Sequence, residues 1–158
     1  MNNLTENISS LLKSGEPREI VLEKILREVL QQFNSETGTI HTLDSEKQLL
    51  QLAAQVGLPP QMLGIVQTIP VGKGIAGQVA AENRPVTICN LQTDTGGIAK
   101  PGAKQTGVGG ALCVPIRAGD KILGTLGIGT MREHEYSAAE INSLQGIADL
   151  LAAHIRAT

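Results

Sequence analysis

Apolar and polar positions alternate along this chain with two different periods, and the switches between them outline the elements. Leu4, Ile8, Leu11 and Leu12 recur at helical spacing and predict a short amphipathic helix that ends before Ser14-Gly15. A second helix is predicted from Pro17, a residue suited to the first helical position. It carries Val21, Leu22, Ile25, Leu26, Val29, Leu30 and Phe33, with Glu23 and Arg27 paired four residues apart on its polar side. That stripe is wider than one buried helical face requires. The period then shortens. Thr39 to Leu43 reads as a strand, Asp44 to Lys47 as a turn, and Gln48 to Val56 as the returning strand, with Leu50, Leu52, Ala54 and Val56 on one face.

Pro59-Pro60 opens a short helical turn through Leu63, and a second short helix spans Ile75 to Glu82 before Asn83-Arg84-Pro85. Val86 to Cys89 reads as a brief strand. From Asn90 to Gly109 no periodicity exists, and a stretch of that length inside one domain points to a lid or binding loop. Ala111 to Arg117 and Ile122 to Thr130 form a hairpin across Ala118 to Lys121. Gly127 and Gly129 share one face of its second strand and leave room there for a neighbour. Ser137 and Glu140 have capping-box spacing and open a last helix with Ile141, Leu144, Ile147, Ala148, Leu151 and Ile155 on one side. Hairpins dominate the strand connections, which makes the fold class α+β with a mostly antiparallel sheet. Residues 1–15 form an N-terminal helical extension, and residues 16–158 form one domain.

Composition narrows the function classes. A formal net charge of −2 offers no basic excess for neutralising phosphates, which argues against nucleic acid. With only Phe33 and Tyr136 as aromatic residues, neither a base-stacking platform nor an aromatic cage can be assembled. The start of the chain has no basic segment followed by a long apolar run, so no signal peptide is expected. The uncharged stretch from Gln48 to Gly72 is broken by glutamines and prolines and does not read as a membrane span. Cys89 and Cys113 lack C-x-x-C spacing, and two lone cysteines fit packed thiols in a cytoplasmic protein. The three histidines sit on different predicted elements, and no metal site is expected.

Gly72, Gly74 and Gly77 match G-x-G-x-x-G, but the preceding segment contains Pro70 and the following helix is short. A dinucleotide turn needs a buried strand before it and a full crossover helix after it, so a tight turn with close packing explains these glycines better. No G-x-S-x-G elbow and no phosphate-binding loop are present. The candidate ligand-binding residues are therefore Cys89, Asn90, Asp94, Lys100, Lys104, Gln105, Thr106 and Gly109, at or within the long loop. Lys100 and Lys104 bias such a site toward an anionic or strongly polar guest.

From Thr68 onward the chain resembles a GAF domain, a small-molecule sensory module. The resemblance is carried by Ile69 to Val79, by Asn83 to Val86, by Ala111 to Ile116 with Gly124 to Ile128, and by Tyr136 to Ile141. The earlier helix and hairpin fit the same fold. The resemblance implies a central antiparallel sheet with the N- and C-terminal helices on one face and short helices plus the long loop over a pocket on the other. Departures from three branches are visible. The Asn-Lys-Phe-Asp-Glu set of cyclic-nucleotide binders has no counterpart, neither cysteine has the adjacent His of bilin binders, and the free-methionine-sulfoxide reductase branch uses three cysteines where this chain has two. The expectation is thus a non-catalytic sensory module that binds a small molecule and signals to a separate output protein, with no defined cofactor. Its alternatives are a thiol reductase acting through Cys89 or Cys113, and a ligand-free dimerisation module. The broad stripes on the second and last helices further predict a homodimer.

Overall fold

The computed structural model describes residues 2–88 and 109–157. Helix α1 (Asn2–Leu12) precedes α2 (Arg18–Gln32), followed by the hairpin β1 (Thr37–Asp44) and β2 (Leu49–Val56). A single 3-10 turn at Pro60–Met62 runs into the one-turn helix α3 (Leu63–Val66). Then come β3 (Thr68–Pro70), α4 (Gly74–Glu82) and β4 (Val86–Ile88). A second hairpin, β5 (Ala111–Ala118) and β6 (Lys121–Gly129), leads to the last helix, α5 (Ala138–Ala157). The strands make one six-stranded antiparallel sheet in the order β3-β2-β1-β6-β5-β4. The α+β fold with an antiparallel sheet is as the hairpin pattern predicts.

Local chemistry sets the helix ends. Pro17 lies just before α2, and its carbonyl accepts the Val21 amide at 3.0 Å. At α5 the capping box closes in both directions: the Glu140 amide donates to Ser137 Oγ at 3.1 Å, and the Ser137 amide donates to Glu140 Oε1 at 2.9 Å. The Glu23–Arg27 pair forms at 3.2 Å on the solvent side of α2, where an exposed ion pair adds little stability. Beyond the end of β4, Gln145 of α5 donates from Nε2 to the Pro115 carbonyl of β5 at 2.9 Å.

One face of the sheet carries the main core. Val21, Leu22, Ile25, Leu26 and Val29 of α2 and Leu144, Ile147 and Leu151 of α5 are buried against Ile40, Leu112, Val114, Ile116, Leu126 and Ile128. Leu4 and Ile8 of α1 belong to the same cluster. This removes the premise of the predicted homodimer. The broad stripe of α2 is covered within one chain, because α1 packs over the part that the sheet does not reach. Among the described residues the exposed large apolar side chains are Ile20, Ile65 and Met131, which lie on separate segments.

A second departure lies in β2. Its pairing with β1 shifts between Ile40 and His41, leaving Ala53 as an extra residue. Ala54 and Val56 therefore stay with the helix-side core, whereas Leu52 and Leu50 align with His41 and Leu43 and fall on the opposite face. The bulge splits an apolar set that strict alternation would hold together.

Candidate functional site

The other face of the sheet is built differently. Three rows of side chains cross β1, β6 and β5 in register: Thr37–Gly129–Ala111, Thr39–Gly127–Cys113 and His41–Thr125–Pro115. Each position alternates with a core residue of the opposite face, so the strand period alone places threonine, histidine and cysteine together here. The two glycines sit in the middle strand of the first two rows. A Cβ on Gly127 would lie 3.3 Å from Thr39 Oγ1 and 3.6 Å from Cys113 Sγ. Any side chain there would press on both the hydroxyl and the thiol, so the strands pack closely at this point. Gly127 and Gly129 share one face, as expected, and both line the cavity.

Above this floor stand Leu58, Val66, Ile69, Ile75 and Ala76, lining a partly open cavity of about 140 Å³. Its walls come from α3, β3 and α4. The glycines of the G-x-G-x-x-G match build this side. Gly72 and Gly74 adopt φ of +92° and +63°, and the Gly72 amide donates to the Gly77 carbonyl at 2.8 Å. A side chain on Gly77 would strike the Pro70 carbonyl and the Gly72 amide. They turn β3 sharply into α4 and let the helix sit close, as their sequence context predicts. Arg117 completes the support by donating from its guanidinium to the Asn83 carbonyl at 2.9 Å, at the C-terminal end of α4.

Electrostatics at the floor favour neutral forms. His41 is buried, and its ring shares a hydrogen bond of 2.8 Å with the Val66 carbonyl. Since a carbonyl only accepts, Nε2 carries the proton and donates. Burial lowers the imidazole pKa from its ordinary 6.5, against the opposing pull of that hydrogen bond, so the ring is neutral at pH 7 with a lone pair on Nδ1. Nδ1 makes no hydrogen bond among the described residues. Burial pushes the Cys113 thiol up to about 12, offset in part by the neighbouring Thr125 hydroxyl. Cys113 is therefore a thiol and not a thiolate, and only the thiolate is a good nucleophile. It packs with Val79 and Val86 beneath α4, as expected of a structural cysteine.

Of the sequence-predicted site residues, Cys89, Asn90, Asp94, Lys100, Lys104, Gln105 and Thr106 lie outside the described residues. Gly109 is described, and it is an anchor. Its amide donates to the Thr130 carbonyl at 2.6 Å, and the next amide, that of Gly110, donates to the Arg132 carbonyl at 3.1 Å. A Cβ on Gly109 would meet the Arg132 backbone, so this residue zips the chain onto the end of β6 and does not line the cavity. The residues that sequence reasoning missed are Thr37, Thr39 and His41. Thr39 and His41 lie within the predicted strand, whose alternation puts them on one face, whereas Thr37 falls before its predicted start. Among the described residues no group of three His, Cys, Asp or Glu side chains could hold a metal ion, and no helix is long and apolar enough to cross a membrane.

An antiparallel sheet with long helices on one face and a small chamber under short helices on the other defines the class. The GAF domain profile matches residues 15–156, and the chain belongs to the GAF domain family. No curated protein matches the sequence. Among solved structures, the chain is similar to the GAF domain of an Acinetobacter phosphoenolpyruvate-protein phosphotransferase, with a TM-score of 0.81 and 20% identity over 98% of this chain and 91% of that one. It is also similar to the free methionine-R-sulfoxide reductase of Neisseria meningitidis in complex with its substrate, with a TM-score of 0.77 and 17% identity over 95% and 84% of the two chains. The Staphylococcus aureus enzyme with substrate gives a TM-score of 0.77 and 20% identity over 98% and 94%. These reductases overturn the expectation that the chain is not an enzyme. The same fold carries catalysis in structures that match nearly its whole length, so the fold gives no ground for excluding an activity.

Proposed function

We propose that this chain is a sensory GAF domain that binds a small molecule in the chamber between the β1-β6-β5 floor and the α3-β3-α4 wall. The observation that carries the reading is the concave lining itself, in which Thr37, Thr39, His41 and Cys113 meet the apolar Leu58, Val66, Ile69, Ile75 and Ala76. Concave, largely apolar chambers with a few polar groups are where small molecules bind. The signalling half of the proposal follows from shared strands. Thr39 and Gly127 face the chamber, whereas Ile40 and Leu126 beside them pack in the core beneath α2 and α5. A guest that shifts the floor shifts those core contacts too, and the helices pass the change to a separate output protein.

The test is a thermal-shift screen of a metabolite library against the wild type and Gly127→Val, which pushes a side chain against Thr39 and Cys113 on the cavity floor. At a hundredfold excess over Kd, a true guest stabilises the folded state by about 2.7 kcal/mol. At least one compound should raise the melting temperature of the wild type and leave Gly127→Val unmoved. A screen in which every stabilising compound acts equally on both proteins would remove the reading.

A further inference from the structure

We infer that His41 is a latch: the hydrogen bond from its ring Nε2–H to the Val66 carbonyl holds the α3 wall of the cavity against the sheet, and losing that bond frees α3 to unwind while the strands stay folded. The sequence of α3 makes it dependent on outside support. Leu63-Gly64-Ile65-Val66 is one turn long, and its glycine and two β-branched residues are weaker helix formers than Ala or Leu. A helix this short does not hold itself in water and takes its stability from tertiary contacts. Packing offers α3 little. None of its residues is buried, Ile65 is 48% exposed, and a Cβ on Gly64 would meet nothing within 4 Å.

The residues on either side of α3 are fixed. Met62 before it is buried, and the Gln67 carbonyl after it accepts the Leu52 amide of β2 at 2.8 Å. Between those two points, the hydrogen bond that ties α3 to the sheet among the described residues is the one from His41, at 2.8 Å. Its post is rigid. His41 is buried in β1, aligned with Leu52 of β2 on one side and Thr125 of β6 on the other. Release therefore unwinds the turn without detaching either neighbour. His41 and Val66 both line the cavity, so the latch runs from floor to wall, and unwinding α3 reshapes the cavity on that side while the floor keeps its form. That α3 is the side that yields to a guest rests on the chamber reading; the latch itself does not.

The experiment is amide hydrogen exchange of the full chain, followed by NMR at Val66 and Gln67 and, for comparison, at Leu126 and Ile128 of β6, with no guest added. In the wild type, urea below the unfolding transition should speed exchange at Leu126 and Ile128 and leave Val66 and Gln67 nearly unmoved, because α3 opens locally. Equal urea dependence at both places would mean that α3 opens only with the whole sheet, and it overturns the inference. His41→Leu removes the donor and keeps a side chain of similar bulk, whereas His41→Gln keeps an N–H. Exchange at Val66 should be roughly fivefold faster in the Leu variant than in the Gln variant, the worth of one hydrogen bond. Exchange at Leu126 should instead follow each variant's global stability in urea unfolding. Equal rates at Val66 in the two variants overturn the latch. If His41→Leu does not fold, the urea dependence of the wild type decides alone. Because no guest is present, an empty metabolite screen bears on the chamber, and these rates bear on the latch.

Discussion

The two faces of the β1-β6-β5 sheet are drawn from the same strands and yet are built to opposite rules. On the helix side, Ile40, Leu126, Ile128, Leu112 and Val114 interlock with α2 and α5, and even Gly38 is filled over by Leu26 and Leu30, which lie within 3.2 Å of where its Cβ would stand. On the chamber side the neighbouring positions are Thr39, His41, Thr125, Gly127 and Cys113. Here His41 leaves a buried ring nitrogen without a hydrogen bond among the described residues, and Gly127 is closed in by a hydroxyl and a thiol where Gly38 is closed in by hydrocarbon. The first face maximises contact, which is what stabilises a domain. The second sets polar side chains where hydrocarbon would pack. Stability and capacity for a guest are thus separated by a single residue step along each strand.

Adjacent residues of β6 give the sharpest contrast. Leu126→Ala empties a fully buried site on the helix face and should cost about 2–5 kcal/mol in urea unfolding. A loss under 1 kcal/mol would mean that the two faces do not differ as described. The chamber face should instead reveal itself through pH. Because burial lowers the His41 pKa below 6.5, the unfolded chain takes up a proton near that value before the native state does. Stability must then fall as the pH drops below 6.5, toward the lower native pKa. His41→Gln should flatten that limb of the profile between pH 6.5 and 5, and an unchanged slope would assign it elsewhere. The smallest effect is expected at Thr125→Val. Its buried hydroxyl has the Cys113 thiol beside it as a weak partner, so an isosteric methyl should change stability by no more than about 1 kcal/mol. A clear loss would show that Thr125 has a partner worth more than its desolvation.

These residues also show what could be read in advance. The capping box of α5, the stripe of α2 and the β5-β6 hairpin were legible because each is a local pattern, decided by residues three or four apart or by a single turn. The tight turn through Gly72, Gly74 and Gly77 was legible for the same reason, once Pro70 and the short helix argued against a dinucleotide. Gly127 and Gly129 could be placed on one face, but not opposite Thr39 and Cys113. That juxtaposition depends on the register of β1 against β6, strands far apart in the chain. His41 looked like one of three scattered histidines because its partner is a backbone carbonyl of α3, which has no sequence signature. The width of the α2 stripe was read correctly and explained wrongly: α1 supplies the cover that a second chain was expected to supply.

The sheet's borders carry a consequence for self-association by strand addition. Both outermost strands are only three residues long, Thr68–Pro70 and Val86–Ile88, and one of them ends in a proline that has no amide to offer. Where β5 runs on past β4, its edge meets Pro115, again without an amide, and the carbonyl there is already taken by Gln145. An incoming strand would find few consecutive donors and acceptors on either side. Exposed edges of this kind template aggregation when they are long and unblocked. Among the described residues these edges are short, and they are interrupted by residues that cannot pair, which leaves an incoming strand little to extend.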